Sequence, residues 1–218
     1  MTMRGFRLAR AALLFVAFAS LGALDQAVAA SAEELSEQER GAIEQITSYF
    51  NAMRTLKGTF LQVGPKGHIS TGEFHIAKPG RMRFEYSPPN PFVVVADGTW
   101  VTIKNQDKNT ADQYPLAATP LRLVLAEQVD LLSEAKILEV EQSDGLTTVK
   151  LEDKEKLVPG HLELIFDEQR GELQQWIIVD GQGRRTTISL TDMMAGGEPD
   201  PGLFRVEVPK RRAGTTSR

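Results

Sequence analysis

The sequence predicts a mainly β protein with few helices, built on one strongly curved antiparallel sheet of about eleven strands. Three observations carry this reading. From Leu56 onward, short apolar segments alternate with turn residues every ten or so positions, as in a meander. Between Arg81 and Tyr86 the pattern has period two, with Met82, Phe84 and Tyr86 on one face of a strand and Arg81, Arg83 and Glu85 on the other. Helical spacing occurs in only two intervals, Ser31 to about Arg54 and Thr119 to about Leu132, which is too few helices for a doubly wound α/β fold.

The first residues read as a targeting segment. Arg4, Arg7 and Arg10 form a basic region, Ala11 to Leu24 an apolar one, and Ala27-Val28-Ala29 an A-x-A cleavage site. The apolar run is too short for a membrane span, and Asp25-Gln26 interrupts it. A signal peptide over residues 1–29, a single domain over 30–209 and a flexible tail over 210–218 are therefore expected, with the mature chain exported. Cysteine is absent, so the mature protein has neither disulfides nor a thiol to carry a lipid anchor. Removing Arg4, Arg7, Arg10 and Asp25 takes the 25 basic and 29 acidic side chains to 22 and 28, and the formal charge from −4 to −6. That balance disfavours nucleic acid or an anionic membrane surface as the main partner.

In the first helical interval Ile43, Ile46, Phe50 and Met53 share a face, and Ser36 with Glu39 forms a capping box. Strands are expected at Leu56–Val63, His68–Ala77, Arg81–Tyr86, Phe92–Ala96 and Thr99–Lys104. The turns between them are Gly64-Pro65-Lys66-Gly67, Lys78-Pro79-Gly80, the Pro-rich stretch at 87–91, and Asp97-Gly98. The second helical interval interrupts the rhythm. Its apolar residues Leu121, Val124 and Leu125 are spaced i, i+3 and i+4, with Pro120 in the first turn and Thr119 as N-cap. Strands resume at about Ile137–Gln142, Leu146–Glu152, His161–Asp167, Glu172–Val179, Arg184–Thr191 and Leu203–Val208.

The chain offers little to catalysis. His68, His75 and His161 fall on separate strands without metal-ligand spacing, and no Gly-x-Ser-x-Gly elbow is present. Gly181-Gln182-Gly183 lacks the third glycine and following helix of a dinucleotide loop and reads as a hairpin tip. No enzymatic activity and no cofactor or metal is expected. What the sequence does supply is apolar side chains of shared parity: Phe74 and Ile76, then Met82, Phe84 and Tyr86, then Leu162, Leu164 and Phe166, with Phe204 and Val206 in the last strand. Trp100 and Trp176 sit in other strands. Periodicity alone favours an ordinary filled core over a binding face for these residues.

A basic residue before Pro-Gly, an aromatic strand, a Pro-rich turn and then Val95-Ala96-Asp97-Gly98-Thr99-Trp100 together resemble the LolA family of periplasmic outer-membrane lipoprotein carriers. The resemblance runs from about Ile43 to Val208 and includes Thr59-Phe60-Leu61-Gln62 and the Thr119–Leu125 segment. It implies an unclosed barrel covered by helices. Its hydrophobic cavity would be lined by Phe74, Ile76, Met82, Phe84, Tyr86, Trp100, Leu162, Leu164, Phe166 and Phe204, under a lid formed by Pro120, Leu121, Val124 and Leu125. The family's lid latch, a basic residue before proline at the end of the second strand, matches Lys78, which lacks the planar fork of arginine. The implied partners are acylated lipoproteins, an inner-membrane lipoprotein-releasing ABC transporter and an outer-membrane receptor, with the carrier a monomer. A binder of another lipid or glycolipid, or a lipid- or peptide-sensing domain, would use the same features.

Overall fold

The computed structural model describes residues 35–155 and 159–209. The expected signal peptide and tail lie outside the described residues, apart from the helix start, which the structure takes up at α1 (Glu37–Ala52). Ser36 caps α1 and Glu39 reaches back to the Ser36 amide, closing the capping box.

Six strands follow as a meander: β1 (Thr55–Val63), β2 (Ile69–Ala77), β3 (Arg81–Tyr86), β4 (Phe92–Asp97), β5 (Trp100–Asn105) and β6 (Thr110–Pro115). A 3-10 turn (Leu116–Ala118) and two single-turn helices, α2 (Arg122–Leu125) and α3 (Leu131–Glu134), interrupt the strands. The second meander is β7 (Ala135–Ser143), β8 (Leu146–Asp153), β9 (Gly160–Asp167), β10 (Glu172–Asp180) and β11 (Arg185–Ala195). The two meanders join where β1 pairs with β11, giving one antiparallel sheet in the order β6-β5-β4-β3-β2-β1-β11-β10-β9-β8-β7. Among the described residues no ladder joins β6 to β7, so the barrel is open.

Curvature has identifiable sources. The ladders shift register between Lys57 and Thr59, between Leu173 and Gln175, and between Ile137 and Glu139, and each shift bends and twists its strand. Gly58 and Gly72 face aromatic rings across the inner surface. A Cβ on Gly72 would stand 2.7 Å from the Phe60 ring and one on Gly58 2.9 Å from the Phe74 ring, so only glycine lets these rings lie flat on the neighbouring strand.

The inner face packs Phe60, Phe74, Phe84, Leu151, Leu164 and Phe166 against Ile43, Ile46 and Phe50 of α1. Tyr49 of α1 meets the Phe166 ring edge-on at 5.4 Å. A second, smaller apolar patch lies on the outer face, where Val93 and Val95 are buried opposite Glu85 and Arg83 in the ladder. The C-terminal segment covers it. The expected last strand at 203–208 is instead a 3-10 turn, Pro201–Phe204, followed by irregular chain. Asp200 accepts from the Gly202 amide and Pro201 opens the turn, so local capping outweighs the alternation read from Phe204 and Val206.

Candidate functional site

Period two places Met82, Phe84 and Tyr86 on the inner face of β3, and the register sets them against Ile76, Phe74 and Gly72 of β2. Those three β3 side chains form one wall of a cleft of about 270 Å3. Val94, Val101 and Ile103 extend that wall along β4 and β5, while Trp176, Ile178 and Ile188 form the facing wall from β10 and β11. Thr119, Pro120 and Leu121 roof it. The lining is overwhelmingly apolar; its polar members are Gln62, Thr119, Thr186 and the hydroxyls of Tyr86 and Tyr114. Tyr86 donates to Gln62 Oε1 at 2.7 Å, and burial pushes its phenol above the usual range while that bond pulls the other way.

The expected cavity residues divide into groups. Met82, Phe84 and Tyr86 line the cleft. Phe74, Leu162, Leu164 and Phe166 share its face but are fully buried in the filled core beside it, and Ile76 borders a separate small hollow near Gly196. Two residues do not belong to the cleft. Trp100 is 42% exposed and has the parity of Thr102 and Lys104, opposite to the inward Val101 and Ile103. Phe204 lies on the outer face, with the Arg81 guanidinium 5.4 Å from its ring centroid and the Leu203 carbonyl accepting from Arg83 Nη1 at 3.2 Å. Sequence reasoning left Val94, Val101, Ile103, Ile178 and Ile188 unassigned, although each has the inward parity of its strand.

The segment expected as a lid is shorter and more apolar than a two-turn amphipathic helix. Leu121, Leu123, Val124 and Leu125 are all buried, and α2 itself is one turn. Leu121 occupies the N-cap position expected for Thr119, whose hydroxyl instead donates to the Leu116 carbonyl at 2.8 Å.

The tether expected at Lys78 is elsewhere. Lys78 is buried and its Nζ donates at 2.8 Å to the Phe50 carbonyl, in the last turn of α1, so it caps that helix rather than holding the lid. Burial, helped by the nearby Arg54 charge, lowers its pKa. The segment itself is bonded by other groups. The Gly80 amide, two residues beyond Lys78, donates to the Leu125 carbonyl at 2.8 Å. On its other side Arg122 makes a two-pronged contact with Asp153 at the end of β8, Nε to Oδ2 at 2.6 Å and Nη2 to Oδ1, while Nη1 reaches Glu134 at 3.3 Å. Those bonds to Arg122 hold the Asp153 carboxyl below the ordinary carboxylate range. Beyond the lid lies a second hollow of about 370 Å3, bordered by Pro79, Gly80, Leu116 and the Arg122, Leu125 and Ala126 side of the lid. Residues 116–126 thus border both spaces, Thr119, Pro120 and Leu121 on the cleft and Leu116, Arg122, Leu125 and Ala126 on the second hollow.

This arrangement defines a class: an open antiparallel barrel whose inner face is partly filled by a long helix and partly left as an apolar cleft under a short helical roof. Residues 51–207 match the family model described as "Outer membrane lipoprotein carrier protein LolA", and the chain belongs to that family. The outer-membrane lipoprotein carrier protein of Chromohalobacter salexigens is 29% identical over 185 residues, covering 80% of this chain and 87% of that one. The protein of the same description from Pseudomonas aeruginosa is 24% identical, covering 84% and 91%. Among solved structures, an uncharacterized conserved protein from Thermus thermophilus superposes with a TM-score of 0.46 at 13% identity, covering 80% of this chain and 96% of that one. Among the described residues no helix is long and apolar enough to cross a membrane, and no group of three or more His, Cys, Asp or Glu side chains could hold a metal.

Proposed function

We propose that this protein is a periplasmic chaperone that binds the acyl chains of lipoproteins in the cleft and carries them from the inner to the outer membrane. The observation that carries the reading is the unfilled apolar cleft between Phe84 and Ile188, roofed by an apolar segment within a chain of the lipoprotein-carrier family. Transfer of each buried methylene into water costs about 0.8 kcal/mol, so an acylated protein needs such a shelter to cross an aqueous compartment. On this reading the cargo is loaded by an inner-membrane lipoprotein-releasing ABC transporter and passed to the outer membrane or a receptor there. The protein acts as a monomer, without catalysis.

The cleft volume bears on how loading occurs. About 270 Å3 is at or below the small end of the roughly 300–1,000 Å3 found for ligand pockets, too little for several acyl chains at once. On this reading, cargo uptake enlarges the cleft by movement of the segment that roofs it, Thr119 to Leu121. The test is isolation of the mature protein from the periplasm under native conditions, followed by mass spectrometry of what travels with it. Acylated lipoproteins are expected; free lipid alone, or no lipid, would overturn the assignment of cargo.

A further inference from the structure

Three polar side chains that line the cleft are gathered at one end of it. Tyr86 is the last residue of β3, Gln62 the last but one of β1 and Thr186 the second of β11. The ladders bring these strand ends together, since Val63 pairs with Thr187, and Phe60 and Tyr86 both pair with Gly72. All three side chains are half-buried. The Tyr86 hydroxyl donates to Gln62 Oε1 at 2.7 Å, which commits the amide oxygen. The Gln62 amide nitrogen and the Thr186 hydroxyl have no protein partner among the described residues, and neither atom is buried. This end of the cleft therefore offers uncommitted donors. The opposite end is hydrocarbon. Met82 lies level with Ala96 and Val101 across the ladders, and Leu121 is in the roof. The roofing segment is tied to that end, its Leu116 amide donating to the Thr99 carbonyl and its Leu125 carbonyl accepting from Gly80, each at 2.8 Å. Of the polar residues there, the Thr119 hydroxyl is committed to the Leu116 carbonyl, and Tyr114 stands half exposed on the edge strand β6. From Met82 to Tyr86 the strand rises about 13 Å.

An acyl ligand has the same polarity, a single carbonyl linkage followed by an alkyl chain. A carbonyl taken out of water needs a donor, whereas methylenes need only an apolar wall. With its alkyl end at Gln62, the ligand would leave the carbonyl among Met82, Val101 and Leu121, where the Thr119 hydroxyl is already committed. With its alkyl end under Leu121, the carbonyl meets the N–H groups of Gln62. Resting on the acyl-carrier reading above, we infer that Gln62 and Tyr86 form the head-group subsite of the cleft, with Gln62 Nε2 donating to the acyl carbonyl and the hydrocarbon running along β3 toward Met82 and the roof. Tyr86 acts through Gln62, holding its amide by the oxygen. The ligand class is a fatty acyl ester or amide, bound in one direction.

Direction is read by NMR on the purified protein with methyl laurate, isotope-labelled either in its ester methyl or in its terminal methyl. Isotope-filtered NOEs should connect the ester methyl to Thr186 and Tyr86, and the terminal methyl to Met82 and Leu121. The reverse pattern, or both methyls at both ends, overturns the inference. The carbonyl contact is read by displacement of a fluorescent fatty-acid probe at neutral pH, comparing methyl laurate with dodecyl methyl ether, which lacks the carbonyl. The wild type should bind the ester about tenfold more tightly, the difference expected for one hydrogen bond. Gln62→Glu keeps the shape and the acceptor for Tyr86 but has no N–H to donate, so the preference should vanish. Equal binding of ester and ether by the wild type, or a preference that survives Gln62→Glu, overturns the inference and leaves the carrier reading intact. An N-lauroyl dipeptide and monolauroyl glycerol carry the same carbonyl on different heads. Gln62-dependent binding of the dipeptide supports the subsite as one for acylated peptides, and dependence confined to the glycerol ester supports it as one for glycerolipids. If none of these ligands binds, the inference and the carrier reading fall together.

Discussion

Arg122 of the lid and Asp153 at the end of β8 are joined side-on, Nε donating to Oδ2 at 2.6 Å with Nη2 on the other carboxylate oxygen. Asp153 belongs to the β7–β11 half of the sheet, while the Gly80 amide that holds Leu125 belongs to the β1–β6 half. Residues 122–125 therefore contact both meanders, through Arg122 on one side and the Leu125 carbonyl on the other.

Arg122→Leu should release one end. The Asp153 side chain is only 9% exposed, so its bonds to a charged donor fall in the range of about 1.5–3 kcal/mol. The population with an open lid should rise on the order of tenfold or more. The Gly80 N–H, whose acceptor is the lid carbonyl of Leu125, is the reporter, and its hydrogen exchange should accelerate by a similar factor. Unchanged exchange at Gly80 would mean that the ion pair is incidental to lid closure.

The same contact makes lid closure sensitive to acid. The folded-state pKa of Asp153 lies below its ordinary value because of the Arg122 bonds. Its contribution is thus complete above the unfolded value of about 3.9 and is lost as pH falls through the lower, folded value. Uptake of a fluorescent acyl probe should speed up only in that acidic window. Asp153→Asn should be fast at neutral pH and nearly flat through the window, and a wild-type step near pH 7 would contradict the assignment.

Lys78 answers to a different role. Lys78→Met leaves the Phe50 carbonyl without its 2.8 Å donor but also removes a charge that burial disfavours, so the two effects partly offset. A net loss of about 1 kcal/mol, or about 2–4 °C in melting temperature, is expected. Release of an acyl ligand to acceptor vesicles should be unchanged. Slower release in the folded variant would restore Lys78 to the lid.

How far the sequence could be read depended on the range of the interactions. The alternation of Met82, Phe84 and Tyr86 is local, and it placed those side chains on the inner face correctly. So did the capping box at Ser36 and Glu39. Trp100, which the resemblance puts in the cavity, has the parity opposite to the inward Val101 and Ile103 and so falls outside. Phe204 failed for the opposite reason, since its apparent alternation with Val206 ignored the Asp200-Pro201-Gly202 turn. The Arg122–Asp153 pair joins residues 31 positions apart on different elements, and no local pattern signals it. Nor does parity say how much of an inner face is filled. Phe74 and Phe84 read alike in sequence, yet only Phe84 borders the cleft.

The outer-face patch gives a test of the Phe204 placement. Phe204 is 2% exposed beside β3, so Phe204→Ala should cost about 3–5 kcal/mol in unfolding experiments. Trp100→Ala, at a site 42% exposed, should cost less, about 1–3 kcal/mol. Neither change should alter acyl-ligand affinity once measured on folded protein. A loss of affinity in either would return that residue to the binding face.

The inward face itself is tested by a pair of charge changes. Ile178 lines the cleft without being fully buried, so Ile178→Asp puts a carboxylate into apolar surroundings while leaving the packed core around Phe74 intact. An ionised carboxylate there costs several kcal/mol unless it takes up a proton, which raises its pKa. Acyl-ligand affinity should therefore drop at least tenfold at neutral pH and recover partly as the pH is lowered toward that raised value. The control is Glu85→Lys, on the opposite face of β3, where the side chain is half exposed and pairs with Arg83 at 2.7 Å. Losing that exposed pair is worth at most about 1 kcal/mol of stability and does not touch the cleft, so affinity should stay within about twofold. Equal losses in the two folded variants would mean that the acyl chain does not lie between β3 and β10, and the cleft would have to give way to the hollow behind Leu125 as the binding space.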